Sequence, residues 1–148
     1  MLHPKSRGQV KLKSSNPSEP PSIQLSPLSD LEDRAMLVKG LKKAIEVLHS
    51  PAFKAYKEGE MLLPKAPVSD QIINEHINKS LETLYHPVGT CKMGNDAQSV
   101  VNHELKVHGV ANLRVIDASI MPTIVSGNTN AAAIMIAEKG ADMILRDQ

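Results

Sequence analysis

The chain has 148 residues, a formal net charge of +1 at pH 7, 41% hydrophobic residues and 2% aromatic residues. This length fits one average domain and excludes a large multidomain enzyme within the chain itself. The near-neutral charge and the scarcity of aromatic residues (Phe53, Tyr56 and Tyr85) argue against nucleic acid as a partner, because such proteins need basic surfaces and stacking platforms.

Membrane spans, disulfides and metal sites are not predicted. The longest strictly apolar run, Ala131 to Ala137, is far shorter than the ~20 residues that cross a bilayer. The single cysteine, Cys91, excludes an internal disulfide and a cysteine-rich zinc site. His103 and His108 have no recognised ligand spacing, and we expect both at the surface.

Two short strands are predicted near the amino terminus. Val10 and Leu12 alternate with polar residues, a pattern typical of a half-buried strand. A second strand is predicted from Ser22 to Leu25, after the proline-rich stretch Pro17 to Pro21. Together these strands indicate part of an antiparallel sheet that is too small to be complete.

A first helix is predicted from about Asp30 to His49. Ser29 and Glu32 have the spacing of a capping box. Apolar residues then recur at steps of three and four, which is the period of a helix with one buried face. These residues are Leu31, Ala35, Val38, Leu41, Ile45 and Leu48. The prolines that follow predict a short helical turn around Phe53 and Tyr56, and then irregular chain to about residue 68.

A second and a third helix are predicted further along. Ser69 or Asp70 can cap the second helix, whose buried stripe is predicted to be Ile73, Ile77, Leu81 and Leu84. Short β-like runs at 99–101 and 105–107 and a stronger one at 113–117 come before the third. This last helix is predicted to begin near Asn128 to Asn130 and to end at about Arg146. Its first two turns are apolar on every side, which predicts an element buried all round.

Three local features can carry chemistry, and the first is the loop from His86 to Gly94. Histidine accepts a proton near neutral pH, and a loop restrained by Pro87 and Gly89 can aim it into a cleft. A histidine before proline is also common as a purely structural residue. These nine residues by themselves leave both interpretations open.

The second feature is the passage from Leu113 to Pro122, where an apolar run ends in Asp117 and Ala118. Ligands bind at strand carboxyl ends in α/β domains, and a small residue lets a bound group approach the backbone. The alternative is that Asp117 only caps the following turn. The spacing alone does not choose between them.

The third feature is the polar loop from Ser126 to Ala131, which leads into the apolar helix. A helix amino terminus offers free N–H groups and a partial positive charge to an anion or to the electron-rich edge of a cofactor. The alternative is that Asn128 or Asn130 only serves as the N-cap.

Taken in order, these features resemble the carboxyl-terminal part of the glucose-methanol-choline (GMC) family of flavin-dependent alcohol oxidoreductases. The resemblance is strongest to the branch with choline dehydrogenases and insect glucose-dehydrogenase-like enzymes. It is carried by YHPVGTCKMG (85–94), NLRVIDASIMP (112–122), VSGNTNA (125–131) and IMIAEKGAD (134–142). Residues 7–50 also resemble the family's substrate-domain sheet and helix.

The resemblance implies oxidation of a small alcohol, with hydride transfer to FAD. His86 matches the base that removes the hydroxyl proton, and Asn128 matches its partner, whose amide can donate a hydrogen bond to the substrate oxygen. Asp117 and Ala118 match positions beside the ribityl and pyrophosphate part of FAD. Asn128, Thr129 and Asn130 match the helix start at the pyrimidine edge of the flavin.

The resemblance also implies an α+β chain that contributes to two domains of a flavoenzyme. Residues 1–90 are expected to supply strands and helices to a substrate-binding sheet domain, with the catalytic histidine at its end. Residues 91–148 are expected to supply a strand and a buried helix to an FAD-binding α/β domain.

The glycine-rich G-x-G-x-x-G motif that holds the pyrophosphate in this family is absent from the sequence. We therefore expect the chain to be the carboxyl-terminal part of a longer enzyme, acting together with an N-terminal FAD-binding portion. The alternative is a non-catalytic binding or regulatory module, or a degenerate remnant of such an enzyme.

Overall fold

The computed structural model describes residues 1–59, 63–65 and 67–147. Helices and a small antiparallel sheet make up its regular structure, in agreement with the predicted α+β class. The chain divides into two compact units: Met1, His3–Gly8 and Leu25–Thr83 form the first, and Leu2, Gln9–Gln24 and Leu84–Gln148 form the second. The assignment of residues 1–90 and 91–148 to two flavoenzyme domains stays a prediction.

Helix α1 of the first unit spans Leu31–Leu48, close to its predicted bounds. The predicted capping box at Ser29 is wrong, because Asp30 is the N-cap and its Oδ1 accepts a hydrogen bond from the Glu32 N–H at 2.8 Å. Ile45 is buried, whereas Leu31 is 81% exposed and lies outside the buried face. The apolar period therefore predicted the helix correctly but not the whole of its buried stripe.

Helix α2 spans Asp70–Ser80 and is capped by Ser69, whose hydroxyl accepts a hydrogen bond from the Ile72 N–H at 3.3 Å. Ile73 and Ile77 are buried, as predicted. The prediction that the stripe continues to Leu84 is wrong, because the backbone becomes extended at residue 81 and the Leu84 side chain is exposed. Weak helix formers near this point, such as serine and threonine, do not favour another turn.

The buried carboxylate of Asp33 attaches the amino-terminal segment to the first turn of α1. It accepts hydrogen bonds from the Lys5 N–H at 2.9 Å, the Ser6 N–H at 2.7 Å and the Ser6 hydroxyl at 2.5 Å. The hydrogen bond from the Ser6 hydroxyl, followed by that from the Lys5 N–H, holds the pKa of Asp33 below its usual range. A 3-10 helix at Pro51–Tyr56 confirms the predicted turn, and the irregular chain predicted after it includes positions 60–62 and 66, outside the described residues.

The second unit contains a hairpin of β1 (Gln9–Lys11) and β2 (Ser22–Gln24), paired antiparallel with Val10 opposite Ile23. The pairing confirms the predicted antiparallel strands. The expectation that the first strand is half-buried is wrong within this chain, because Val10, Leu12 and Ile23 are all exposed.

The core of the second unit is formed by residues from the segment after residue 87 and from α3. Its buried members are Val101, Leu105, Ile120, Met121 and Ile136. The strands predicted at 99–101, 105–107 and 113–117 are reduced to isolated bridges that involve Val101, Val107 and Arg114. Positive φ angles at Leu105, Gly109 and Asn112 turn the backbone too often for these bridges to extend into ladders.

Helix α3 spans Asn130–Arg146, which confirms its predicted bounds. Ile136 and Gly140 are buried, but Ile134 and Met135 are 55% and 59% exposed. The prediction that its first turns are buried all round is therefore wrong within this chain, since the core covers only one side of α3. Among the described residues, none of the helices has the length and apolar character needed to cross a membrane.

Candidate active site

Backbone hydrogen bonds join the loop that carries His86 to the turn after Asp117. The Cys91 N–H donates to the Ser119 carbonyl at 3.0 Å, and the Met93 N–H donates to the Ile120 carbonyl at 2.7 Å. These bonds need no particular side chains, so the sequence pattern did not reveal them. They bring two of the three chemistry-bearing features into one framework.

Gly89 lets the loop approach this framework closely. Its φ of +87° lies in a region that side-chain-bearing residues rarely adopt, and a Cβ at this position would lie 3.1 Å from the Met121 carbonyl oxygen. The glycine therefore serves both the bend of the loop and its contact with residue 121. Gly89 thus restrains the loop that carries His86, and the aiming of His86 into a cleft stays a prediction.

His86 is half-buried and stands between two residues with restricted backbones. Tyr85 has a φ of +60°, which is unusual for a bulky residue, and Pro87 fixes its own φ. Such strained residues persist where the surrounding structure determines them, and they cluster at functional sites. The ring nitrogen Nδ1 of His86 lies 2.8 Å from the hydroxyl oxygen of Thr129, within hydrogen-bonding distance.

Thr129 is the N-cap residue of α3, so the predicted cap at Asn128 or Asn130 is one residue away from the actual one. Its backbone is helical, with φ −74° and ψ −11°, and its side chain makes no capping hydrogen bond. The first-turn N–H groups of α3 are therefore not capped by Thr129, and they carry the partial positive charge of the helix start. Asn128 and Asn130 on either side are exposed.

Asp117 caps the 3-10 helix Ala118–Ile120, with its Oδ1 accepting a hydrogen bond from the Ser119 N–H at 2.7 Å. This is the structural role that the sequence left open for it. Asp117 is exposed and Ala118 is half-buried. The cap holds the turn whose carbonyl groups receive the hydrogen bonds from the His86 loop.

The His86 loop is further ordered by Asp96 just beyond it. The Asp96 carboxylate accepts hydrogen bonds from Lys92 Nζ at 2.9 and 3.0 Å, the Gln98 N–H at 2.9 Å and the Ser99 hydroxyl at 2.9 Å. These contacts lower the pKa of Asp96 to about 2. The hydrogen bond from Lys92 contributes most, followed by those from the Gln98 N–H and the Ser99 hydroxyl.

All six site residues predicted from the sequence lie in the second unit. The structure joins His86 directly to Thr129, and it connects the His86 loop to the turn that begins at Ala118. Asn128 adjoins Thr129 in the chain, and the hydrogen bonds of the described residues do not link its side chain to His86. The contact between His86 and Thr129 was missed because no local pattern marks a hydrogen bond across 43 positions.

The chain is similar in sequence to known proteins. A sequence model of the family described as GMC oxidoreductase matches residues 4–137. The chain is 47% identical over 145 residues to the alcohol dehydrogenase [acceptor] of Pseudomonas putida, covering 98% of the chain and 26% of that enzyme. It is 43% identical over 139 residues to the oxygen-dependent choline dehydrogenase of Escherichia coli, covering 94% of the chain and 25% of that enzyme.

A solved structure supports the same relationship. The formate oxidase of Aspergillus oryzae, which was studied for the modification of its FAD, superposes with a TM-score of 0.88 at 30% identity, over 98% of this chain and 26% of that one. The chain thus spans about a quarter of the length of the proteins that it matches. Because the family model covers most of the sequence and agrees with the fold, the chain belongs to the GMC oxidoreductase family.

Proposed function

We propose that this chain supplies the catalytic residues and one wall of the cofactor site of an FAD-dependent alcohol oxidoreductase. The observation that carries the proposal is the position of His86, held 2.8 Å from Thr129 at the start of α3. A proton-accepting group and a helix start that its N-cap side chain does not cap are thereby brought together. The reaction class is the oxidation of a CH–OH group of a small alcohol.

His86 takes the hydroxyl proton in this proposal. An alcohol does not release its proton unaided near neutral pH, so a positioned base must accept it as the carbon is oxidised. Nδ1 of His86 is engaged by Thr129, which leaves Nε2 as the atom that accepts the proton. The exposed amide of Asn128 donates a hydrogen bond to the substrate oxygen, and such a contact is worth about 3 kcal/mol in a dry site.

The residues of the second unit fit an electron-rich cofactor edge. Thr129 does not cap α3 with its side chain, and in the proposal the first-turn N–H groups bind a partly negative heteroaromatic ring. Asn128, Thr129 and Asn130 would hold this edge, while Asp117 and Ala118 would border the rest of the cofactor. When bound, FAD supplies the hydride acceptor.

The chain needs a further portion to complete this site. It spans about a quarter of its relatives and lacks the G-x-G-x-x-G motif that binds the pyrophosphate. In the proposal an N-terminal FAD-binding portion supplies that motif and much of the substrate pocket. Residues 1–90 then contribute to the substrate-binding domain and residues 91–148 to the FAD-binding domain.

A chimeric enzyme tests the proposal. The chain replaces the matching 145-residue region of the Pseudomonas putida relative, and anaerobic reduction of the flavin is recorded after small primary alcohols are added. We expect alcohol-dependent reduction, and a loss of at least about 100-fold in the His86→Ala variant because a general base is removed. His103→Ala, at an exposed histidine outside the site, is the matched control and should leave the rate unchanged.

Two outcomes would count against the proposal. Normal flavin reduction in the His86→Ala chimera would remove this residue from the role of base. A folded chimera that retains FAD but is not reduced by any alcohol would favour a non-catalytic module, the alternative suggested by the missing dinucleotide motif.

A further inference from the structure

The three α-helices in the described part of the chain use their N-cap side chains in different ways. Asp30 and Ser69 have extended backbones, with ψ of 131° and 157°, and their side chains accept hydrogen bonds from helix N–H groups. An extended N-cap is the usual geometry for this contact. Thr129 has ψ of −11°, and its hydroxyl contacts Nδ1 of His86 while making no capping bond.

Helix stability does not explain this use of the Thr129 hydroxyl. The capping bond of a threonine needs an extended N-cap backbone, and the helical backbone of Thr129 does not provide it, so α3 does not use this hydroxyl. Because threonine is branched at Cβ, its side chain has few rotamers and holds its hydroxyl in a defined direction. Thr129 is half-buried, which further restricts that hydroxyl. The geometry thus directs this hydroxyl to His86 and not to the helix.

The direction of the hydrogen bond decides which histidine nitrogen can act as the base. A neutral imidazole carries one proton, so Nε2 can accept a proton only if Nδ1 carries the N–H. In that tautomer the Nδ1–H donates and the Thr129 oxygen accepts. The same hydrogen bond persists after Nε2 is protonated, because both nitrogens of imidazolium are donors.

We propose that Thr129 is a positioning residue which accepts a hydrogen bond from Nδ1–H of His86 and so keeps Nε2 as the proton-accepting atom. The inference rests on the proposed function, in which His86 is the base. It adds a role for the Thr129 side chain that is separate from any contact between the helix backbone and a cofactor.

The tautomer of His86 is the direct test. The full 148-residue chain is labelled with ¹⁵N at histidine, and long-range ¹H–¹⁵N spectra are recorded for the wild type, Thr129→Val and Thr129→Ser. We expect the Nδ1–H form to predominate in the wild type and in Thr129→Ser, which retains the hydroxyl. Thr129→Val keeps the shape of the side chain but removes the acceptor, and should shift His86 toward the Nε2–H form. His103, which is exposed, is the internal control, because its ratio of tautomers should be the same in all three proteins.

Two results of this measurement would overturn the inference. One is a wild-type His86 in the Nε2–H form. The other is an unchanged ratio of tautomers in Thr129→Val. Both concern only the hydrogen bond, so they are independent of whether the chain is part of an alcohol oxidoreductase.

Kinetics of the chimera separate a positioning role from a merely structural one. We expect Thr129→Val to slow alcohol-dependent flavin reduction by roughly 10- to 100-fold and to change its pH profile, because a misoriented base is penalised strongly. Thr129→Ser should restore most of the rate and the original profile. Equal losses in both variants, or a slow rate with an unchanged pH profile, would contradict the inference. Failure of the proposed function itself would appear separately, as full activity of His86→Ala.

Discussion

Gly140 of α3 lies directly against the side chain of Ile116. A Cβ built on Gly140 would overlap Cγ2 of Ile116 and would lie 2.9 Å from its Cδ1 and 3.2 Å from its Cγ1. Gly140 is buried, so the backbone of α3 contacts the Ile116 side chain directly at this position. The absence of a side chain at one position of α3 therefore sets how closely the helix approaches the turn of the candidate site.

The first prediction concerns this contact. Gly140→Ala gains about 1 kcal/mol in helix propensity, but the added methyl must displace Ile116, and such overpacking costs about 1–3 kcal/mol. We expect a net destabilisation of about 1 kcal/mol in the free energy of unfolding, measured by urea denaturation. Gly40→Ala in α1 is the matched control, because nothing lies within 4 Å of a Cβ there and the change should be stabilising. Equal stabilisation by both variants would disprove the role of the contact.

The second prediction concerns the bend of the His86 loop. Gly89→Ala must adopt a positive φ, which costs about 1–2 kcal/mol, and its Cβ must also fit 3.1 Å from the Met121 carbonyl oxygen. Gly109→Ala has a similar φ of +75° with nothing within 4 Å, so it incurs only the backbone cost. We expect urea denaturation to show a larger loss of stability for Gly89→Ala. Identical losses of stability in the two variants would mean that the close approach to the Met121 carbonyl oxygen does not affect the free energy of unfolding.

The third prediction concerns the pH dependence of stability at Asp96. Its pKa is about 2 in the folded chain, below the ordinary value of 3.8. A carboxyl with a lowered pKa in the folded state contributes stability in full above its unfolded pKa and loses that contribution as the pH falls through its folded pKa. The free energy of unfolding of Asp96→Asn should therefore depend less on pH, between 3.8 and about 2, than that of the wild type.

Urea denaturation at a series of acidic pH values measures this dependence. Lys92→Met is a second variant, because it removes the largest cause of the lowered pKa and leaves the Gln98 and Ser99 contacts in place. The pH dependence of its free energy of unfolding should lie between those of the wild type and Asp96→Asn. A slope in Asp96→Asn as steep as that of the wild type would assign the acid sensitivity to other carboxyl groups.

The fourth prediction concerns the two faces of the apolar start of α3. Met135 is 59% exposed, whereas the adjacent Ile136 is 6% exposed and belongs to the core. Ile136→Glu buries a charge without a partner and should prevent the second unit from folding. Met135→Glu should change the free energy of unfolding by less than about 0.5 kcal/mol and reduce the binding of a hydrophobic dye. Comparable unfolding by both substitutions would show that the exposed face is packed in solution.

Local features made much of the fold predictable. The bounds of α1 and α3 follow from periodicity and apolar content, which act over a few neighbouring residues, although the capping residue of each helix was predicted one position away. The hairpin pairing was predictable for the same reason. The end of α2 was not, because the apolar spacing of Leu81 and Leu84 continues beyond the residues that the helix includes. The runs at 99–101, 105–107 and 113–117 have strand composition, yet positive φ angles between them limit their pairing to single bridges.

The sequence by itself identified the family of this protein and supplied the residues that the proposed site uses. Motifs such as that around His86 are contiguous, so they can be recognised without a structure. Only the tertiary structure decided which distant residues meet. Thr129 contacts His86 across 43 positions, and Gly140 contacts Ile116 inside the second unit. Contacts of this kind depend on the directions of side chains after distant segments have packed, and no local propensity encodes those directions.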